Sequence, residues 1–559
     1  MTGAEYIVSV LRSFSVSDTF GVPGSGILPL IYAMKEGGIN PHLLYHEQGA
    51  SFAAVGYAQS SGNLGVVYAT KGPGFMNALT AVTDAYFDSI PLLLITNHDY
   101  REKKGMRFFS KQEIDTIHIC EEMVKQAKSV DEEEELQEIP DVLFDALKGR
   151  KGPVLIDVNS YLFEKELNIK YDRKELVINS DRNSTPEGDI IESISTNLAM
   201  SSRPVFLIGN GLRFSNVIDD IDYLSKELNI PILSSKISAD IMADRDNYFG
   251  FIGSHGCRYS NFILDKSDFV LSLGNRLAYS PNSTSFLPSI SNKTIVRVEV
   301  DENEFQREIS NAINVNADLN DVVKALKITW KDNKKSAGWI ESCRKLKHEL
   351  FDFDFDGIIS RIADILTRIP HSAAIVGDVG NNDIWLSQAY ICSGISNSLY
   401  YSMSFAVLGV SLCKAIGVYY TNKSPVVCFI GDQGFQFNIQ ELEYISLNKI
   451  PILIVIINNR VSGLIRDKEI KKYGQELHVS EKSGYGVPSI ELIAKSYGIT
   501  LLTETDAIKG SKINIDEPKI IELEVDQEEA VRPSLPNGVK CTNMYPPIDG
   551  GLYKKLESI

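Results

Sequence analysis

The stretch VVCFIGDQGFQFNIQELEYISLNKIPILIVIINN, residues 426–459, predicts a strand, a helix and a second strand in immediate succession. Its two apolar runs, 426–430 and 451–457, are typical of strands buried on both faces, as in parallel sheets. The helix predicted between them, at 438–447, supplies the crossover that two parallel strands require. The stretch therefore predicts an open α/β sheet.

Polar side chains follow both of these strands at their carboxyl ends, Asp432 after the first and Asn459 after the second. Parallel sheets bind ligands outside these ends, so we expect the two side chains to lie close together. A carboxylate and an amide oxygen suit Mg²⁺ or Ca²⁺, and Gly431 and Gly434 would let backbone N–H groups approach phosphate oxygens. Alternatively, Asp432 is the N-cap of a plain strand-to-helix turn. The second polar group, at Asn459, favours the metal site.

The same alternation of short apolar strands and helical patterns extends over the whole chain and predicts three α/β units. These units span residues 1–163, 190–330 and 356–535, with polar linkers at 164–189 and 331–355 and a tail at 536–559. The predicted fold class is α/β, with three open α/β domains and mainly parallel sheets. Further strands are predicted at 43–45, 65–69, 91–96, 153–158, 204–209, 231–235, 269–273, 294–300, 373–377 and 519–525, and helices at 51–59 and 77–86.

The composition argues against nucleic-acid and membrane partners. The 73 acidic residues outnumber the 56 basic ones and give a net charge of −17, whereas binding to a phosphate backbone depends on clustered Lys and Arg. No apolar run approaches the ~20 residues that span a bilayer. The N-terminus lacks the charged start and apolar core of a secretory signal. A cytoplasmic protein is predicted.

A second candidate site is carried by LLYHEQGASFAAVGYAQ, residues 43–59. Here a short strand leads into a helix rich in small residues, with Glu47 at its beginning. On its own, Glu47 could simply favour the positive end of the helix dipole.

Taken together, these motifs resemble thiamine-diphosphate-dependent enzymes. The similarity is strongest to the acetolactate synthase-like branch, which includes relatives from sugar-nucleotide and lipopolysaccharide gene clusters. It rests on GVPGSG at 21–26, HEQGASFAAVGYA at 46–58, TKGPGFMNALT at 70–80, RPVFLIGNG at 203–211, FGFIGSHG at 249–256, DVGNNDIW at 378–385 and GDQGFQFNIQEL at 431–442.

The resemblance implies a site for thiamine diphosphate and Mg²⁺ at a subunit boundary. The first domain would bind the cofactor's pyrimidine, with Glu47 beside a ring nitrogen as the catalytic acid–base group. The third domain would bind the diphosphate, with Asp432, Asn459 and the backbone carbonyl of Val461 holding the metal. A homodimer or homotetramer is expected for this reason. The other implied cofactor-binding residues are Gly72, Gly74, Asn77, Leu408, Gly431, Gly434 and Gln433, the last of which replaces the family's usual small residue.

The resemblance also implies substrate residues and a second cofactor. Gln112, Lys125 and Asn381 fall where substrate-side residues occur. FAD binding by the central domain is expected, because the glycine-rich loops there match those that line the flavin site of many synthases. The residues implied for that site are Gly209, Gly211, Gly253, His255, Gly274 and Arg276.

The implied activity is a carboligation, in which pyruvate, a 2-keto acid, is decarboxylated and its hydroxyethyl unit is transferred to a carbonyl acceptor. The acceptor is either a second keto acid or a nucleotide-linked ketosugar, since no tryptophan follows Asn458–Asn459 in NNRVSGLIRDKEIKKYG as it does in biosynthetic synthases. Three alternatives stay open: a simple 2-keto-acid decarboxylase, a flavin-linked pyruvate oxidase and a non-catalytic relative.

Overall fold

The computed structural model describes residues 1–99, 111–168, 188–278, 289–290, 292–330, 337–353 and 355–559. Three six-stranded sheets follow one another along the chain, and every strand pairing within them is parallel. The predicted fold class, three open α/β domains, is therefore confirmed. Among the described residues, every helix is too short or too polar to cross a bilayer.

The first sheet has the strand order β2-β1-β3-β4-β6-β5 and is covered by helices on both faces. Its centre is fully buried, because β3 and β4 are inaccessible along their whole length. Its strands are β1 (Asp18–Gly21), β2 (Asn40–Leu43), β3 (Gly65–Tyr68), β4 (Leu92–His98), β5 (Gln126–Val130) and β6 (Pro153–Asn159). Its helices are α1 (Gly3–Ser13), α2 (Leu28–Glu36), α3 (Glu47–Ser61), α4 (Pro73–Asp88), α5 (Thr116–Cys120), α6 (Ile139–Leu147) and α7 (Ser160–Glu164).

The second sheet has the order β12-β11-β10-β7-β8-β9. Glycines follow two of its central strands and allow the loops there to approach each other closely. Its strands are β7 (Pro204–Ile208), β8 (Ile232–Ser234), β9 (Tyr248–Phe251), β10 (Phe269–Leu273), β11 (Thr294–Glu299) and β12 (Ala312–Asn316). The helices of this part are α8 (Gly188–Met200), α9 (Ile218–Leu228), α10 (Arg258–Lys266), α11 (Leu319–Thr329) and α12 (Ala337–Leu350).

The third sheet has the order β14-β13-β15-β16-β18-β17. Its strands are β13 (Ala374–Gly377), β14 (Leu399–Tyr400), β15 (Val426–Gly431), β16 (Ile452–Asn458), β17 (Thr500–Leu502) and β18 (Lys519–Glu524). Its helices are α13 (Gly357–Leu366), α14 (Asn381–Ser393), α15 (Ser411–Asn422), α16 (Asp432–Phe435), α17 (Glu441–Leu447), α18 (Gly463–Tyr473), α19 (Ile490–Ser496) and α20 (Glu504–Ile508), and α21 (Gly550–Glu557) ends the chain. Single 3₁₀ turns occur at Ser25–Ile27, Glu133–Glu138, Asn210–Phe214, Lys236–Ser238, Glu302–Gln306 and Glu481–Ser483.

One apolar core joins the first and third sheets, because α3 packs closely against α15. Glycines make the contact possible. A Cβ on Gly56 would lie 2.2 Å from the carbonyl oxygen of Lys414, and one on Gly417 would lie 1.7 Å from that of Ala53. As α3 advances from 53 to 56, α15 runs back from 417 to 414, so the two helices are antiparallel.

Several elements differ from the sequence predictions. The strand predicted at 43–45 is wrong: β2 spans Asn40–Leu43, an edge strand that is only half-buried and so lacks a clear apolar run. The helix predicted at 438–447 begins later, at Glu441, as α17, and a separate short helix, α16, precedes the predicted range. The predicted linker at 331–355 contains α12, which buries Trp339, Ile340 and Cys343. Of the predicted linker at 164–189, residues 169–187 lie outside the described residues.

Candidate active site

Asp432 and Asn459 lie at one edge of the third sheet, where two neighbouring strands end. β15 and β16 pair in register up to Gly431 opposite Ile457. Asp432 follows β15 directly and Asn459 follows β16. The amide of Arg460 donates to Asp432 Oδ2 at 2.7 Å, which holds the chain just after Asn459 against the carboxylate.

The Asp432 carboxylate is buried and is oriented by three hydrogen bonds. Besides Arg460, the Gln433 amide donates to Oδ1 at 2.7 Å and the Tyr485 hydroxyl donates to it at 3.0 Å. Burial raises the pKa of Asp432, and the hydrogen bonds from Tyr485 and from the backbone act in the opposite direction. An oriented carboxylate of this kind is suited to coordinate a cation.

Two asparagines at the start of α14 face the same edge. Asn381 Oδ1 and Asn382 Oδ1 are buried, and neither accepts a hydrogen bond from a described residue. A Cβ on Gly463 would lie 2.4 Å from Asn381 Nδ2 and 3.5 Å from Asn459 Nδ2, and one on Gly431 would lie 3.7 Å from Asn382 Nδ2. Buried polar atoms without partners are uncommon in folded proteins, so these amide oxygens indicate a place for a ligand.

A second buried carboxylate, Asp378, supports the segment that carries Leu408. The Gly409 amide lies 3.0 and 2.9 Å from the two Asp378 oxygens. Burial raises the pKa of Asp378 to about 7, and backbone hydrogen bonds oppose that rise. A Cβ on Gly434 would lie 2.5 Å from Asp378 Oδ2. Glycine is therefore required at 434, whereas the half-buried Gln433 next to it is accommodated.

Glu47 begins α3 and lies in a compact cluster of the first sheet. Asn77 Nδ2 donates to Glu47 Oε2 at 3.0 Å, and a Cβ on Gly74 would lie 3.2 Å from Glu47 Oε1. Gly72 has a positive φ of 68°, and a Cβ there would lie 2.6 Å from the carbonyl oxygen of Gln112. The predicted pyrimidine residues and one predicted substrate residue are thus brought together.

The turn before Glu47 is held by the third sheet of the same chain. The amides of Tyr45 and His46 lie 3.3 and 3.0 Å from the two carboxylate oxygens of Glu441, in the first turn of α17. Burial raises the pKa of Glu441 to about 7, and these backbone hydrogen bonds oppose the rise. His46 accepts from the Gln48 amide at 3.1 Å and is the N-cap of α3, a structural role.

Lys125 lies elsewhere. Its ammonium group donates to the carbonyls of Asp145 and Lys148, at the carboxyl end of α6. A lysine that caps the last carbonyls of a helix is a common structural feature. The structure does not bring Lys125 to the Glu47 cluster, since β5 and β2 form opposite edges of the first sheet.

A cavity of about 850 Å³ opens at the carboxyl ends of β7, β10 and β11. Of the residues predicted to bind FAD, Gly209, Gly211, Gly274 and Arg276 line it, and Gly253 and His255 do not. His255 instead hydrogen-bonds the carbonyl of Pro533 at 3.1 Å.

Sequence reasoning missed Glu299, which lines this cavity from the end of β11. It is 8% exposed, and burial raises its pKa to about 7. Its Oε1 is buried and accepts no hydrogen bond from the part of the chain that the structure describes. Glu299 is the last residue of β11, so its position at the carboxyl end of a strand, where Asp432 also lies, was the signal that could have identified it. Asp378, at the end of β13, was missed in the same way.

Comparison with known proteins gives matches over all three sheets. Residues 1–119 match the N-terminal TPP (thiamine pyrophosphate) binding domain of thiamine pyrophosphate enzymes, 191–326 their central domain, and 378–517 their C-terminal TPP binding domain. The acetolactate synthase isozyme 2 large subunit of Escherichia coli (strain K12) is 28% identical over 561 residues, covering 97% of this chain and 99% of that protein.

Two further relatives match over a similar share of this chain. The acetolactate synthase large subunit of Lactococcus lactis is 29% identical, with 97% of this chain and 96% of that protein covered. The probable acetolactate synthase large subunit of Methanococcus aeolicus is 30% identical, with 97% and 95% covered. The similarity therefore extends over the whole architecture, and the chain belongs to the thiamine-pyrophosphate-dependent enzymes, as a carboligase of the acetolactate synthase type.

Proposed function

We propose that this enzyme decarboxylates pyruvate and transfers the resulting two-carbon unit to a carbonyl acceptor, with Glu47 as the acid–base residue and the Asp432–Asn459 edge as the diphosphate and metal site. The observation that carries the proposal is the presence of both parts of the site, the Glu47 cluster and the Asp432–Asn459 edge. In each part, hydrogen bonds already orient the carboxylate. When bound, thiamine diphosphate supplies the nucleophilic carbon and the electron sink for this chemistry.

The residues at the edge of the third sheet fit a metal diphosphate. Asp432 offers a carboxylate, Asn459 an amide oxygen and Val461 a backbone carbonyl, which are the hard oxygen donors that Mg²⁺ takes. In the described ranges, no three His, Cys, Asp or Glu side chains converge on a common metal position. A cation here would therefore depend on few protein ligands and on phosphate oxygens, as is usual for Mg²⁺. The unpartnered oxygens of Asn381 and Asn382 support the same proposal.

Glu47 would hold a proton against the cofactor's pyrimidine nitrogen. Asn77 fixes the rotamer of the carboxyl group through its hydrogen bond to Oε2 and leaves Oε1 for the ring. Gly74 lets the loop pass close to Oε1, since any side chain there would crowd it. A carboxyl group positioned in this way can give and take the proton in successive steps.

We propose that a second copy of the chain completes the site. α3 and α15 are antiparallel, so Glu47, at the start of α3, and Leu408, just before α15, lie at opposite ends of the pair, on the order of 20 Å apart by helix rise. Large apolar side chains are exposed beside both halves: Tyr45 is 53% exposed near Glu47, and Phe437 is 55% exposed near Gly409. Exposed apolar patches of this kind are typical of subunit interfaces.

We also propose that the central cavity binds FAD. Its place at strand ends, its glycines and its buried carboxylate Glu299 fit a dinucleotide, whose ribose hydroxyls could donate to Glu299. We expect the purified protein to carry flavin, which its visible absorption would detect. The Arg276→Ala variant should retain less flavin, because it removes a positive charge from the lining of the cavity. A wild-type protein that stays colourless after incubation with FAD would contradict the proposal.

One observation favours a hydroxyl-rich acceptor, the ketosugar alternative. Lys71, next to Gly72, contacts Asp99 and lies 3.2 Å from Glu113 Oε2. Glu113 Oε1 is buried and accepts no hydrogen bond within the described ranges. A carboxylate oxygen beside the pyrimidine loop would accept from a hydroxyl group and repel a second carboxylate.

Product analysis by mass spectrometry tests the proposed function. With pyruvate alone, we expect acetolactate if a keto acid is the acceptor. With a nucleotide-linked ketosugar added, a two-carbon adduct is expected if the sugar is preferred, and Glu113→Gln should lower its yield more than that of acetolactate. Acetaldehyde alone would indicate a decarboxylase, acetyl products with flavin reduction an oxidase, and no turnover would contradict the proposal.

A further inference from the structure

The segment 401–409, which ends at Leu408 and Gly409, is tied to helix α4 of the first sheet. Ser402 Oγ donates to Asp84 Oδ1 at 2.5 Å and accepts from the Val407 amide at 3.1 Å. Val407 directly precedes Leu408. Ser402 therefore connects the backbone next to Leu408 to a carboxylate on α4, while Asp378 holds the amide on the other side of Leu408.

A buried ion pair fixes the carboxylate that Ser402 contacts. Lys414 and Asp84 are both fully buried, with Lys414 Nζ 3.4 Å from Asp84 Oδ2, and the same ammonium donates to the Tyr401 carbonyl at 3.0 Å. One turn further along α4, Asp88 accepts from the amides of Met403 and Ser404, each at 3.0 Å.

The cost of burying these charges suggests a role other than general stability. Removing two charges from water costs several kcal/mol per ion, so a buried pair adds little net stability compared with apolar side chains of the same volume. What this pair does provide is a fixed geometry, because Asp84 Oδ1 accepts from Ser402 and Lys414 Nζ donates to the Tyr401 carbonyl, both in the 401–409 segment.

We propose that Ser402, Asp84 and Lys414 are positioning residues for Leu408 and thereby set the affinity for thiamine diphosphate. The inference rests on the proposed function and on Leu408 as one of the cofactor-binding residues that the family resemblance implies. None of the three side chains need touch the cofactor; they act through the backbone at Val407. Asn77, nearer the start of α4, orients Glu47. Helix α4 therefore positions Glu47 for one active site of the proposed dimer and Leu408 for the other active site.

Ser402→Ala tests the proposal, with Ser225→Ala as the matched control. Ser225 is also a fully buried serine that donates to a carbonyl, that of Ile230 at 2.6 Å, and accepts from Asn247 at 3.2 Å, but it lies in the second sheet's domain. Titration calorimetry of the full oligomer with thiamine diphosphate and Mg²⁺ is expected to show about tenfold weaker binding for Ser402→Ala only. Both variants should lower the melting temperature similarly, and kcat at saturating cofactor should change little.

Two more variants make the test independent of stability. Ser402→Thr keeps the hydroxyl group and should restore binding. The double variant Asp84→Leu with Lys414→Met removes both charges together, leaves no unpaired ion and should fold while binding the cofactor weakly. If Ser402→Ala lowers only the melting temperature, as Ser225→Ala does, the positioning role is refuted. If the wild type itself does not bind thiamine diphosphate, the proposed function fails and this inference fails with it.

Discussion

Replacing Glu47 by Gln is expected to lower turnover of pyruvate by about 10²- to 10⁴-fold, the contribution typical of a positioned acid–base group. An amide has nearly the same shape and can still accept the hydrogen bond that Asn77 donates to Oε2. It cannot, however, give and take a proton at the pyrimidine nitrogen. The measurement is steady-state pyruvate consumption at saturating cofactor, together with the melting temperature, which should be almost unchanged.

The matched control for this prediction is Glu491→Gln. Glu491 also lies in the first turn of a helix, α19, and is exposed. Both substitutions remove a favourable charge near a helix N-terminus, which is worth ~1 kcal/mol or less. Only the Glu47 variant should lose activity. Equal turnover in the two variants would mean that Glu47 serves the helix dipole alone, the simpler interpretation of its position.

The fold was predictable wherever strands are buried on both faces. β7, β10 and β16 are buried and mostly apolar, and their predicted bounds agree with the structure to within a residue or two, because apolar runs of this length between turn residues are typical of buried strands. The prediction for β2 was wrong because this strand forms a sheet edge, and its four residues are only half-buried or exposed. Charged residues surround Trp339, Ile340 and Cys343 and make the sequence of α12 typical of a linker, although the spacing of these three residues follows one helical face.

The candidate site was predictable only where chain order itself implies proximity. Asp432 and Asn459 end consecutive strands joined by one crossover, so their positions at one sheet edge follow from the β–α–β unit. The contact between Asp378 and Gly409 depends on how the segment before α15 folds back, and nothing in the local pattern specifies it. Lys125 is the opposite case, a residue that was expected on the substrate side of the site and lies elsewhere in the structure. A lysine can reach several positions, and here it reaches the end of α6.

Replacing Asp432 by Ala is expected to weaken metal-dependent binding of thiamine diphosphate on the order of a hundredfold or more, since it removes the only charged ligand proposed for the metal. Titration calorimetry with and without Mg²⁺ measures the loss. Asp432→Asn keeps an acceptor for the Arg460 amide and should show the same loss with less destabilisation. Asp141→Ala, in the exposed first turn of α6, is the control for removal of a helix-start aspartate. Normal Mg²⁺-dependent affinity in both Asp432 variants would refute the metal role.

The Glu47→Gln and Asp432→Ala variants are most informative when they are combined in one oligomer. If each site takes Glu47 from one chain and Asp432 from its partner, a hybrid of a Glu47→Gln chain with an Asp432→Ala chain contains one site with both defects and one with neither. Random assembly of equal amounts should therefore restore about one quarter of the wild-type sites, although each variant alone is inactive. Co-expression with two different affinity tags isolates the hybrid. If the hybrid stays as inactive as its parents, both halves of the site belong to a single chain, and the antiparallel arrangement of α3 and α15 must change when the cofactor binds.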